Sequence, residues 1–94
     1  MNIHNTALQT FGIRGRVEKL REEALELALA CERYLAGTGG LQAVVCESAD
    51  VSVVIESIST YEPATFAGAF MRGEIKLRKA IDAVSIQHDN ANAQ

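Results

Sequence analysis

The sequence predicts an all-α antiparallel helical bundle: three long helices with a short N-terminal lead-in, completed by oligomerisation. Three observations carry this. Apolar residues recur at spacings of three and four over long stretches, the mark of helices with one buried face. The chain has one Pro, two Tyr, three Phe and no Trp, and its wealth of Ala, Leu, Glu, Arg and Lys favours helix over a β-sandwich or barrel. Ninety-four residues, 48% of them hydrophobic, make one domain (residues 1–86) whose core is modest, so self-association is expected.

Residues 1–13 form a short irregular or helical lead-in containing Phe11 and Gly12. From about Arg14 to Leu35 the residues Val17, Leu20, Ala24, Leu27, Ala28, Cys31 and Leu35 mark the stripe of a first long helix. GTGG, residues 37–40, ends it, because glycine both terminates a helix and lets the chain turn. The next segment, LQAVVCESADVSVVIESIS, is β-branched enough for a pair of strands to be considered. Its length without an internal Gly, Pro or Asn, and the stripe Val44, Ala49, Val51, Ile55 and Ile58, favour a helix from Leu41. Pro63 suits the first turn of a third helix running to about Val84, with Phe66, Phe70, Leu77, Ile81 and Val84 on one face. Gly73 sits in the gap of that face, where a neighbouring backbone can approach. The polar, aperiodic residues 87–94 predict a disordered tail.

The formal net charge of -3 and pI near 5.3 leave no basic footprint for nucleic acid. No stretch approaches the roughly 18 apolar residues of a membrane span, and MNIHNTALQTF lacks a basic region followed by an apolar run. Cys31 and Cys46 show no metal-site spacing and read as packing thiols of a reduced chain. A soluble, cytoplasmic protein that binds neither nucleic acid nor membrane is the expectation.

REEALELALACERYL, residues 21–35, places Glu22, Glu23 and Glu26 among Leu and Ala. At 3.6 residues per turn Glu23 and Glu26 differ by about 60° around the helix, so both reach one point beside it. Such a pair by itself is an ordinary solvated face. CESADV repeats the spacing with Glu47 and Asp50, again among apolar residues. Antiparallel packing across GTGG sets Glu26 opposite Asp50, counting equal distances from Thr38, with Glu23 and Glu47 within a turn of that level. Four converging carboxylates repel one another unless a cation neutralises them. All-oxygen ligation, with His4 and His88 at the two ends of the chain, suits Mg²⁺ or Mn²⁺ and argues against zinc and di-iron.

Glu22-Glu23-x-x-Glu26, followed after residues 27–46 by Glu47-x-x-Asp50, resembles the two-part signature of the MazG-like all-α nucleoside triphosphate pyrophosphohydrolases. Leu27, Ala49, Val51 and Phe11-Gly12 add to the likeness. GEIKLRKAI, residues 73–81, is similar to the Lys-rich third helix of short members, many of them phage-encoded. The likeness spans about residues 9–83. Arg16 stands where relatives commonly have Gln, and no clear Asn follows the Lys-rich helix.

The resemblance implies that Glu23, Glu26, Glu47 and Asp50 hold one or more Mg²⁺ ions, with Mn²⁺ as substitute. A water would attack the α-phosphorus of a (d)NTP to release the monophosphate and pyrophosphate. Glu22, with Glu23, would orient or deprotonate that water; as a surface residue Glu22 would instead pair with Lys19 or Arg21. Arg72, Lys76 and Lys79 share one helical face and would meet the phosphates, or else form the exposed side of an amphipathic helix. Arg16 and Lys19 would serve similarly from the first helix. Phe11 and Tyr34 are candidates to stack on the base, whereas Phe66 and Phe70 belong to the core stripe. A purine, with guanine first, a role in nucleotide-pool control, a homodimer or homotetramer and a cytoplasmic setting (the host's, for a phage-encoded chain) complete the expectation. The competing reading is a non-catalytic acidic module whose stripes dock a partner helix.

Overall fold

The computed structural model describes residues 2–92. It is all-helical, with α1 over Ile3–Leu35, α2 over Leu41–Tyr61 and α3 over Pro63–Asn92, and it has no strand among the described residues. Residues 1–62 make one compact unit and residues 63–94 a second.

Asn2 caps α1: its side-chain oxygen accepts from the backbone N–H of His4 at 2.9 Å and of Asn5 at 3.4 Å, satisfying donors that have no partner within the helix. The lead-in is helical up to Phe11. At Gly12, φ 71° and ψ 169° break the helical path, a conformation open essentially to glycine alone. Helix then resumes to Leu35.

The loop after α1 folds back on it. Gly37 turns left-handed, φ 77°, and the Arg33 carbonyl then accepts from Thr38 N–H at 2.9 Å, Gly39 N–H at 3.1 Å and the Thr38 hydroxyl at 3.2 Å. This left-handed glycine closure satisfies a carbonyl the helix leaves over.

α2 is helical despite its β-branched run. The Ser48, Ser52 and Thr60 hydroxyls each donate to the carbonyl four residues back, a bond only the helical path offers. Glu62 leaves the helix with φ -130°, ψ 65°, as the residue before a proline must, and Pro63 opens α3. α3 continues past the expected end at Val84 to Asn92, because residues 85–92 hold no Gly or Pro to stop it. Ala93 and Gln94, at the end of the expected disordered tail, lie outside the described residues.

α1 and α2 pack together and run antiparallel, since the start of α1 meets the end of α2: His4 Nδ1 is 2.9 Å from Ser57 Oγ. Their interface departs from the expected stripe. Leu20, Leu27 and Cys31 are half-buried, while Val17, Ala24, Ala28 and Leu35 are exposed and Glu23 and Ala30 are buried. The packed face is rotated by roughly a quarter turn, toward Glu23. On α2 the stripe fares better: Val44, Val51, Ile55 and Ile58 are half-buried and Val54 is buried, with Ala49 exposed. Among the described residues the buried apolar side chains are Ala30 and Val54 alone.

On α3 the stripe residues Phe66, Phe70, Leu77, Ile81 and Val84 are exposed, the two phenylalanine rings with their centroids 6.1 Å apart. A Cβ added at Gly73 would meet nothing within 4 Å.

Candidate metal centre

Glu23 projects from the packed face of α1, and Glu26, one turn on, from its edge; Glu47 meets them from α2. One carboxylate oxygen from each lies within 4.8 Å of the others. Glu23 is 9% exposed, Glu47 half-buried and Glu26 exposed. Glu23 Oε2 and Glu47 Oε2 are buried without a hydrogen-bond partner. Buried carboxylate oxygens normally find one, since the loss costs about 1–3 kcal/mol or more.

Among the described residues the one cation paired with the trio is Lys19, whose Nζ lies 3.2 Å from Glu23 and 3.5 Å from Glu22. The bond to Glu23 and the charge of Glu22 raise the Lys19 ammonium above its ordinary value. Glu26 shows the converse. The charge of Glu23, then desolvation, then Glu47 push its carboxyl above the usual range.

The expected register of Glu26 against Asp50 is corrected to Glu26 beside Glu47. Thr38 and Gly39 fold back onto the Arg33 carbonyl just before α2 begins. Asp50 is exposed and is not part of the close group. Glu22 is exposed and pairs with Lys19.

Of the residues expected to bind substrate, Phe11, Arg16 and Lys19 line one shallow groove on α1 together with Gly15, Glu22 and Leu25. The Gly12 break sets Phe11 over Arg16, with guanidinium carbon and ring centroid 5.9 Å apart, a cation–π distance. Gly15 makes room: a Cβ there would sit 3.0 Å from that of Phe11. Arg72, Lys76 and Lys79 are exposed on α3, and Tyr34 is exposed on α1.

Two features escape the sequence pattern. Arg33 lines a cavity of about 180 Å³ with Glu26 and Glu47; its position seven residues after Glu26, on the same helical face, is the signal that could have found it. His4 is engaged with Ser57 and with Glu56, its Nε2 2.7 Å from the Glu56 carboxylate, and so stands apart from the trio. Nothing in local spacing points to that contact. The His88 side chain lies outside the described residues.

No helix among the described residues is long and apolar enough to cross a membrane. The chain matches no protein-family model, no curated protein and no solved structure. Fold and site thus define a class: an all-α protein whose helical hairpin carries a cluster of three carboxylates that can take a cation.

Proposed function

We propose that this chain is a divalent-cation-dependent nucleoside triphosphate pyrophosphohydrolase that converts a (d)NTP to (d)NMP and pyrophosphate. The observation that carries the reading is the convergence of Glu23, Glu26 and Glu47 within 4.8 Å, with an oxygen of Glu23 and one of Glu47 buried and unpartnered. Packing two negative side chains into a helix interface is costly unless something positive completes it, and the donor set, all carboxylate oxygen, fits Mg²⁺ or Mn²⁺.

Glu23, Glu26 and Glu47 would hold the ion, with Asp50, one turn beyond Glu47, as the fourth ligand the resemblance calls for. Bound there, the ion supplies neutralisation of phosphoryl charge and a water of lowered pKa. Glu22 orients the attacking water and, with Glu23, accepts its proton as the bond from the α-phosphorus to the bridging oxygen breaks and pyrophosphate leaves. From α1, Arg16 and Lys19 offset the phosphate charge. Phe11 stacks on the base, a purine with guanine first, and the protein serves nucleotide-pool control.

The bundle is completed by self-association into a homodimer or homotetramer. Support comes from the exposed apolar stripes of α1 and α3, with Leu35 82%, Val84 66% and Leu77 63% exposed, faces of the kind a second copy covers. The same exposure favours a second reading, a non-catalytic acidic module that docks a partner helix.

A pyrophosphate-release assay across the (d)NTPs with Mg²⁺ and Mn²⁺ separates the two. The enzyme releases pyrophosphate from at least one of them, and Glu47→Ala or Asp50→Ala abolishes it. Silence with every nucleotide sinks the enzyme reading and leaves the docking module.

A further inference from the structure

Close to the carboxylates, α1 and α2 leave a cavity of about 180 Å³ between them. It exists because small residues meet there: Ala30 from α1, Gly39 from the loop and Ala43 from α2 line it, with Glu26, Glu47 and Arg33 as its charged groups. At about 30 Å³ per water it has room for roughly six, the scale of a small polyanion.

Arg33 is the one cation lining this cavity. Its main chain is held by the three bonds to its carbonyl from Thr38 and Gly39, and a Cβ at Gly39 would press on the Arg33 Cβ at 3.0 Å. Its root is therefore fixed; Arg33 is solvent-exposed, its guanidinium makes no ion pair among the described residues, and the residue lines the same cavity as two carboxylates. A cation left unpaired there is available to an anion.

Charge points the same way. Three carboxylates carry three negative charges; Lys19 offsets one of them through Glu23, and a divalent ion would offset the other two. Nothing in that set is left to balance a phosphate chain inside this cavity, and Arg33 is the cation that lines it.

We propose that Arg33 is the phosphate anchor of this site, its guanidinium fork taking phosphoryl oxygens of a polyphosphate inside the cavity between α1 and α2. The proposal rests on the metal-dependent reading above and sharpens it. The ligand class is a phosphoanhydride chain of at least two phosphates, held at the end of the hairpin near the GTGG turn. The Phe11 groove is left for the remainder of the substrate. Arg33 thereby acts as a positioning residue, contributing a planar pair of donors matched to phosphate oxygens, which a lysine ammonium supplies only as a point charge.

The test uses the full chain and inorganic pyrophosphate, with no turnover needed. Mn²⁺ binding is read by electron paramagnetic resonance, and pyrophosphate binding in the presence of Mg²⁺ by calorimetry, for the wild type, Arg33→Ala, Arg33→Lys and, as a control for net charge, Arg14→Ala. Arg33→Ala leaves Mn²⁺ affinity within about twofold but weakens pyrophosphate by about tenfold or more, as loss of a bidentate charged contact should; Arg14→Ala changes neither. Arg33 is also a cation in the last turn of α1, where it favours the helix. Arg33→Lys keeps that charge and becomes the deciding variant if Arg33→Ala does not fold, with a loss of about threefold or more expected from the missing fork. Pyrophosphate affinity within twofold of wild type in the deciding variant, with Mn²⁺ still bound, overturns the anchor and leaves the metal reading standing. A wild type that binds no Mn²⁺ overturns both.

Discussion

His4 and Ser57 close the far end of the helical hairpin: His4 Nδ1 lies 2.9 Å from Ser57 Oγ across a separation of 53 residues. His4 Nε2–H donates to Glu56 at 2.7 Å, which in the neutral ring leaves Nδ1 to accept from the Ser57 hydroxyl. Ser57 is 1% exposed, so that hydroxyl depends on His4 for its partner. This clasp fastens the helical lead-in, on the N-terminal side of the Gly12 break, to the last turns of α2.

His4→Ala removes both bonds and strands the Ser57 hydroxyl, at a cost of about 1–3 kcal/mol. Urea unfolding should show the loss. The double variant His4→Ala/Ser57→Ala, which removes the stranded group, should recover part of it; a double variant as unstable as the sum of two independent losses would show that the clasp carries no coupling.

Glu26 makes the stability of the metal-free protein depend on pH. Its carboxyl is raised in the folded chain by Glu23 first, then desolvation and Glu47. The folded state therefore binds the proton better than the unfolded one. Its contribution is fully present below the ordinary carboxylate value and is lost as pH rises through the raised one. Metal-free protein should melt higher as Glu26→Gln than as wild type at pH 7, with the gap closing toward pH 4. Millimolar Mg²⁺ should raise the wild-type midpoint at pH 7 and leave that of Glu26→Gln nearly still.

Gly12 and Gly68 should respond oppositely to alanine. At Gly12, φ 71° strains any side chain, so Gly12→Ala costs about 1–3 kcal/mol. Gly68 lies within α3, where an added Cβ would meet nothing within 4 Å, and Gly68→Ala stabilises by about 0.5–1 kcal/mol. Thermal midpoints moving the same way in both would contradict the assigned backbone at Gly12.

Phe70→Glu tests self-association. Phe70 is 59% exposed beside Phe66, and a charge there should cost the single chain little but disrupt an interface formed by this face. Sedimentation should give the wild type a mass of two or four chains and Phe70→Glu a smaller one. A wild type that sediments as one chain removes the oligomer from the proposal.

How legible all this was varies by level. The helices were readable because each segment agrees with itself: three-and-four spacing, glycines at 37–40 and Pro63 all point to the same boundaries. The packed face of α1 was not. Apolar spacing pointed to Val17, Ala24, Ala28 and Leu35, which are exposed, whereas the face on α2 is built around Glu23 and Ala30. Periodicity counts apolar residues, so a face whose centre is charged is invisible to it. The acidic pairs were legible as ExxE and ExxD on two helices. That Glu47 and not Asp50 joins Glu23 and Glu26 was not, because the axial register of one helix against another is not set by local spacing.

By itself the sequence determined the all-α class, the helical segments and turn of the hairpin, and a pair of acidic patches near that turn, since these follow from spacing, capping and backbone preference within a few residues. Tertiary structure alone decided which side of α1 meets α2, which three carboxylates converge, that Arg33 shares a cavity with two of them, Glu26 and Glu47, and that His4 closes on Ser57. Each of these depends on the rotation and slide of one helix against another, degrees of freedom that local preference leaves open and only side-chain packing across the interface fixes.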